Sequence, residues 1–299
     1  MKKLFLTISI IFIATFFIAC NNSEETADNA TTDTTAVAPD TMLSVSGEAE
    51  EYYMIPAPDE MFAFIKDIGG AGKSTTYINP PDNYKNYIDI KSKALNFGIY
   101  ATDFLYCSTF DYGVDALKYF VAVKKLGDEL GISGSISEAT AERIKKNIGN
   151  NDSLSNISNI IYFSSVKDLE KSDKANVLAL VITGGWIESL YLVTNMTKKF
   201  SVNNSAIDRI AEQKYTLDNL LGYLKKYESD AGVSEIIGRL NELQSDFSQL
   251  KEENVSGTTI IKKDKKIFGG GVKITITEKQ YQTISDKIKD IRNSFTMTK

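Results

Sequence analysis

The chain has 299 residues, of which 34 are basic and 39 acidic, and its formal net charge is −5. It contains no histidine, which excludes serine–histidine and cysteine–histidine nucleophile systems, histidine-ligated zinc and a histidine general base. Because the chain has no cluster of excess positive charge, we expect no nucleic-acid partner.

The first twenty residues are arranged as an export signal. Lys2 and Lys3 precede an apolar stretch over residues 4–18, and the small residue Ala19 stands before Cys20. This order is typical of a cleavable signal, and the apolar stretch is too short for a spanning helix. An uncleaved membrane helix is the alternative. The run that ends at Cys20 resembles the lipobox of bacterial lipoproteins, with Phe17 where leucine is usual. Cys20 would then become the mature N-terminus and carry acyl chains such as palmitate.

Residues 21–52 predict a disordered acidic tether. They are rich in Thr, Ala, Asp and Glu, and no Lys or Arg occurs between residues 21 and 65. Such a segment buries too little apolar surface to offset its ordering entropy. The Ser23-Glu24-Glu25 run resembles an acidic signal that sends lipoproteins to the cell surface. We therefore expect a protein anchored by lipid to the outer membrane, on the cell surface or the periplasmic face.

The remaining residues, 53–299, predict a single mainly α domain built as a multi-helix bundle. Residues 94–110, 116–130 and 176–196 are apolar around much of a helical circumference, which indicates buried helices. Gly131 is expected to cap the second of these, and the polar run from Asn150 to cap the next helix. Residues 177–182 also fit a buried strand, but the apolar run continues beyond them, which favours a helix.

Three later segments each carry one apolar stripe at helical spacing, which predicts packed antiparallel helices. The stripes consist of Ile207, Ile210, Leu217, Leu221 and Leu224; of Ile236, Leu240, Leu243, Phe247 and Leu250; and of Tyr281, Ile284, Ile288, Ile291 and Phe295. Residues 258–263 and 272–277 are β-branched and alternate, with three glycines between them. They predict a small β-hairpin or an ordered loop before the last helix.

Polar residues within two of the buried helices are the candidate ligand-binding residues. They are Asn96, Tyr100 and Asp103 on one helix face, and Glu188, Tyr191 and Asn195 on another. A carboxylate within an apolar helix is unfavourable unless it is paired or solvated. If the two helices face each other, Asp103 and Glu188 would line a pocket rimmed by tyrosines. The alternative is that both faces border solvent or form hydrogen bonds to neighbouring helices without any ligand.

Nothing else in the sequence assigns a catalytic residue, a metal site or a cofactor. Cys107 is the only other cysteine of the processed chain, so no intrachain disulfide is expected, and its apolar neighbours favour a small buried side chain.

Several segments of residues 55–195 together resemble a family of Bacteroidetes helical lipoproteins that has no established activity. They are IPAP at 55–58, NPPDN at 79–83, ALNFGIYATD at 94–103, KLGDELGI at 125–132 and TGGWIESLY at 183–191. The resemblance implies an α-helical extracytoplasmic body, and it transfers no catalytic residues.

These observations favour a non-enzymatic lipoprotein that binds a small ligand or an envelope protein through a groove between helices. Two alternatives stay open. One is a carboxylate-dependent hydrolase of envelope glycans, which requires two acidic side chains in one cleft. The other is a structural subunit of an envelope complex that uses apolar stripes near the C-terminus.

Overall fold

Helices form most of the structure, a computed structural model that describes residues 42–46, 52–56, 58–59, 62, 66, 73–132, 136–197, 199–256, 260–262, 265–267 and 270–297. After a 3-10 helix at Pro81–Asn86, the helices are α1 (Ile90–Thr109), α2 (Gly113–Leu130), α3 (Glu138–Lys146), α4 (Asn151–Lys171), α5 (Ala175–Met196), α6 (Ser205–Lys225), α7 (Ala231–Ser248) and α8 (Glu278–Thr296). The expected mainly α, multi-helix fold is confirmed.

Three antiparallel two-stranded ladders accompany the helices. Strand β1 (Met42–Ser46) pairs with β2 (Tyr52–Pro56), and β2 lies against α6. Between α7 and α8, β3 (Lys251–Ser256) pairs with β6 (Gly270–Thr275), and β4 (Ile260–Lys262) pairs with β5 (Lys265–Ile267). Both of these pairs lie between α7 and α8 in the chain, and β6 also contacts α6.

Local side chains fix several helix ends. Gly131 has φ 77°, the left-handed conformation expected of a glycine cap. The Asn150 side chain accepts a hydrogen bond from the Ser153 backbone N–H at 3.0 Å, which confirms the expected start of α4. Helix α8 begins with a reciprocal capping box between Thr277 and Gln280.

The core is centred on the contact between α1 and α5. A β-carbon added to Gly98 would lie 2.0 Å from the Val181 carbonyl oxygen, and one added to Gly184 would lie 2.0 Å from that of Leu95. Only glycine permits such close approach of two backbones. Helix α1 is further enclosed by α2, α4 and α8, so every residue of 94–109 is buried.

Helix α5 is the one helix, among the described residues, that is long and apolar enough to cross a membrane. Every residue from Val177 to Leu190 is buried against other parts of the protein. This burial is typical of a core helix. Residues 177–182 lie within α5, which confirms the expected helix over the strand.

Two boundaries differ from those expected. Residues 42–46, assigned from sequence to the tether, form strand β1, because backbone pairing with β2 supplies order that their composition does not predict. Residues 272–275 pair with 251–254 and not with 258–263. Strand β3 begins Lys-Glu-Glu-Asn, which lacks the apolar alternation by which a strand is recognised.

All of the described residues fall within one compact unit, Pro39–Lys299. The signal, Cys20 and residues 21–41 of the expected tether lie outside the described residues.

Candidate functional site

Three charged side chains meet inside the bundle where α1, α5 and α8 come together. Asp103 of α1 and Glu188 of α5 have no solvent exposure, and Arg292 of α8 is 7% exposed. Charged side chains are rarely buried unless they are paired, because removing them from water is strongly unfavourable. We call these three residues the charged cluster.

Glu188 and Arg292 form a two-pronged ion pair. Arg292 donates from Nε to Glu188 Oε2 at 2.8 Å and from Nη2 to Oε1 at 3.1 Å. Burial opposes the charge on Arg292, but the Glu188 carboxylate outweighs it and raises the pKa of the guanidinium above its ordinary value. The guanidinium also lies over the ring of Tyr191, with its carbon 4.7 Å from the ring centre. The two hydrogen bonds and the ring contact hold the guanidinium in one geometry.

Asp103 differs from Glu188 because no cation among the described residues forms an ion pair with it. Its Oδ2 accepts a hydrogen bond from the Asn79 backbone N–H at 3.1 Å, whereas no donor among the described residues reaches its buried Oδ1. Burial and then the adjacent Glu188 charge raise the pKa of Asp103 well above its ordinary value. A proton on Asp103 Oδ1 would make this atom a donor and would leave the charged cluster electrically neutral.

The segment of residues 74–81, which ends at the first residue of the 3-10 helix, is tied to the bundle by polar side chains from the core helices. We call it the strap. The Tyr106 hydroxyl accepts a hydrogen bond from the Ser74 backbone N–H at 2.8 Å. Arg292 Nη2 donates to the Tyr77 carbonyl at 3.4 Å. The charged cluster therefore holds the strap as well as the helices.

Two of the candidate residues from the sequence, Tyr100 and Asn96, take part in hydrogen bonds at the end of the strap. The Tyr100 hydroxyl donates to the Pro80 carbonyl at 2.8 Å. The Asn79 side chain donates to the Tyr87 hydroxyl at 2.9 Å, and Asn96 donates to the Phe295 carbonyl at 2.8 Å. These bonds join the strap, α1 and the end of α8 into one buried polar network.

An open cleft of about 420 Å³ lies beside this network. It is lined by the strap, by Asp115, Lys118 and Tyr119 of α2, and by Tyr191 and Arg292. This volume falls within the roughly 300–1,000 Å³ of small-molecule sites. Arg292 belongs to both the cleft and the charged cluster.

One nitrogen of Arg292 is left for the cleft. Nε and Nη2 donate to Glu188 and to the Tyr77 carbonyl, and Nη1 donates to no described residue. Arg292 lines the cleft, and its side chain is 9% exposed. A ligand in the cleft would therefore meet a fixed donor carrying two N–H groups.

The six candidates from the sequence separate into three groups. Asn96, Tyr100, Asp103 and Glu188 are buried and bonded to protein groups. Tyr191 is half-buried and lines the cleft, whereas Asn195 donates back to the Tyr191 carbonyl at 2.6 Å. The two helices do face each other and bring Asp103 and Glu188 together. The expectation that these carboxylates line a pocket is corrected, because both are sealed from solvent. Ligand contact by any of the six stays a prediction.

Sequence reasoning missed Arg292, Tyr77 and Tyr119. A signal for Arg292 was present, because it follows Ile288 by four residues and so takes a position on the apolar stripe of α8. A cationic side chain at such a position is unfavourable unless it pairs with a buried partner. The roles of Tyr77 and Tyr119 depend on where the strap lies, which no periodic pattern indicates.

Two further features bear on chemistry. Within the described residues, no group of three or more His, Cys, Asp or Glu side chains is placed to hold a metal ion. Burial raises the pKa of the Cys107 thiol, which keeps it protonated and unreactive.

No family model, curated protein or solved structure matches this chain.

Proposed function

We propose that this chain is a membrane-anchored extracytoplasmic lipoprotein whose helical body binds a small ligand in the cleft beside the strap, without catalysing a reaction. One observation carries the proposal: the cleft is lined by a guanidinium held in one geometry and by tyrosine side chains on a helical framework. A few convergent polar groups within a mostly preformed concave surface are typical of ligand sites.

The position of the carboxyl groups favours binding over catalysis. A glycosidase places two carboxyl groups on either side of the scissile bond, about 5 to 10 Å apart in an accessible cleft. Asp103 and Glu188 are instead adjacent to each other and have no solvent exposure. The one carboxylate lining the cleft, Asp115, is paired with Lys118 at 2.7 Å. No observation in the described residues therefore supports the hydrolase alternative.

The anchor is proposed from the sequence. A basic start, a short apolar segment and Ala19-Cys20 support lipidation at Cys20. The test is mass spectrometry of the protein from its native host, with Cys20→Ser as the variant. We expect an acylated mature N-terminus in the membrane fraction, which the variant loses. An intact first twenty residues on a cytosolic species would contradict the anchor.

Ligand binding is tested by blocking the cleft from its exposed rim. A small-molecule library is screened against the full-length protein in detergent, and binding is measured as a rise in melting temperature. Thr76→Trp fills the cleft at an exposed position, and Thr283→Trp makes the same change at an exposed position of α8 outside it.

We expect compounds that stabilise the parent and Thr283→Trp but not Thr76→Trp. A screen without any stabilising compound, or equal stabilisation of both variants, would contradict binding in this cleft.

A further inference from the structure

We propose that the cleft selects an uncharged, hydroxyl-rich ring, the chemistry of a neutral sugar or cyclitol, and that Glu188 sets this selectivity by neutralising Arg292. The inference rests on the proposed ligand-binding function and specifies the ligand class of the same site.

The first support is the charge of the cleft. Three charged side chains line it, and each has its counter-charge within the protein. Lys118 pairs with Asp115, and Arg292 pairs with Glu188 through two hydrogen bonds. An anionic ligand would have to compete with a buried carboxylate for Arg292, or remain uncompensated beside a neutral cluster. Either outcome disfavours an anion.

The second support is the set of groups that remain available. Arg292 Nη1 is a donor without a protein acceptor among the described residues, and the exposed Thr75 adds a neutral hydroxyl. Asp115, with its side chain 34% exposed, is available as an acceptor. Donors and acceptors without net charge match a ligand whose polar atoms are hydroxyl groups.

The third support is the apolar surface between these groups. Pro80, Pro81 and Ile78 line the cleft together with Tyr119 and Tyr191. Prolyl and aromatic faces bury C–H surface and leave polar groups at their edges. A ring with hydroxyl groups around its rim and C–H groups on its faces is complementary to such a surface.

Glu188 acts here as a positioning residue, because it does not reach the cleft. It fixes the orientation of the guanidinium, and it cancels the positive charge that would attract an anion. Removing Glu188 alone is a poor test, since the neighbouring Asp103 would ionise and replace it. Both carboxyl groups have to be removed to leave Arg292 uncompensated.

The experiment measures binding of ring-matched pairs: glucose with glucuronate, galactose with galacturonate, and mannose with mannuronate. Full-length protein in a sugar-free polyoxyethylene detergent is titrated by calorimetry near pH 7. The parent is compared with Asp103→Asn, which keeps the charged cluster neutral, and with the double variant Asp103→Asn/Glu188→Gln, which leaves one uncompensated positive charge.

We expect the parent to bind the neutral member of at least one pair about tenfold or more tighter than its uronate, since an uncompensated buried charge is strongly unfavourable. Asp103→Asn should keep this preference, and the double variant should reverse it. A parent that binds the uronate equally or better, or binds no member of any pair, overturns the inference.

Should the double variant not fold, the preference of the parent and of Asp103→Asn still decides the question. The library screen with Thr76→Trp and Thr283→Trp separately decides whether the cleft binds any ligand. Failure of the neutral-ring inference is thereby distinguished from failure of the proposed function.

Discussion

Helices α5 and α7 use polar residues in opposite ways. Helix α5 is buried on every side from Val177 to Leu190, so Glu188 has its partner inside the protein. Helix α7 buries one stripe and exposes the rest, so Glu235 lies at the surface beside Lys91 and Arg239. Where a helix has no solvent face, each polar side chain constrains the packing around it. The candidate site lies at such a point.

The largest expected effect contrasts a buried arginine with an exposed one. Arg292→Met leaves Glu188 as an uncompensated buried charge, and we expect a loss of about 3–5 kcal/mol in the free energy of unfolding. Arg239→Met makes the same change on α7, where Arg239 pairs with Glu235 in solvent, and should change stability little. Denaturant titration of both variants measures the difference.

A second substitution sharpens this result. Glu188→Gln added to Arg292→Met removes the uncompensated charge, so part of the lost stability should return. Equal small losses in Arg292→Met and Arg239→Met would show that the charged cluster does not hold α8 to the bundle.

The next effect concerns the backbone contact of α1 and α5. Gly184→Ala places a methyl group 2.0 Å from the Leu95 carbonyl oxygen, so the helices have to move apart. We expect a loss of about 3 kcal/mol in the free energy of unfolding. Thermal unfolding followed by circular dichroism measures it, and an unchanged melting temperature would contradict the close packing.

The raised pKa of Asp103 predicts an unusual dependence on pH. Between the unfolded pKa near 4 and the folded pKa of Asp103, the folded protein binds up to one proton more than the unfolded chain. This contribution to stability is complete below the unfolded pKa near 4 and is lost as the pH rises toward the folded pKa. The loss amounts to about 1.4 kcal/mol for each pH unit.

Asp103→Asn removes this pH-dependent contribution to stability. It keeps the shape of the side chain and a donor toward Glu188. Stability relative to the parent should therefore increase from pH 4 toward neutrality, as measured by denaturant titration at several pH values. Taking the difference between variant and parent cancels surface carboxylates such as Asp230, whose pKa is lowered by its hydrogen bond with Asn176. A difference that is constant with pH would contradict the raised pKa of Asp103.

The sequence predicted the helices well because their signals are local. Stripes of three- and four-residue spacing appear as α6, α7 and α8, and Gly131 and Asn150 cap the helices as expected. It also predicted that Asp103 and Glu188 would be neighbours if their two helices faced each other. They are neighbours because both residues lie on the faces along which these two apolar helices meet.

What the sequence could not predict depends on contacts between distant segments. Arg292 and Glu188 are separated by 104 positions and meet only because α8 docks beside α5. The strap has no periodicity, and its main contribution to the charged cluster is the Asn79 backbone N–H, which any residue but proline would supply. Strand β3 lacks apolar alternation and becomes a strand by pairing with β6. The open cleft likewise forms only where the strap, α2, α5 and α8 come together.

The smallest expected effect is a gain in stability, opposite in sign to the loss expected for Gly184→Ala. Gly238 lies within α7 at an exposed position, and a β-carbon added there would meet no atom within 4 Å. Alanine restricts the unfolded chain more than glycine and favours the helix, so Gly238→Ala should stabilise the protein by about 0.5–1 kcal/mol. The same chemical change at Gly184 should destabilise it, and denaturant titration of both variants side by side compares them. If both variants lose stability, the difference between an enclosed and a solvent-facing helix would not account for their glycines.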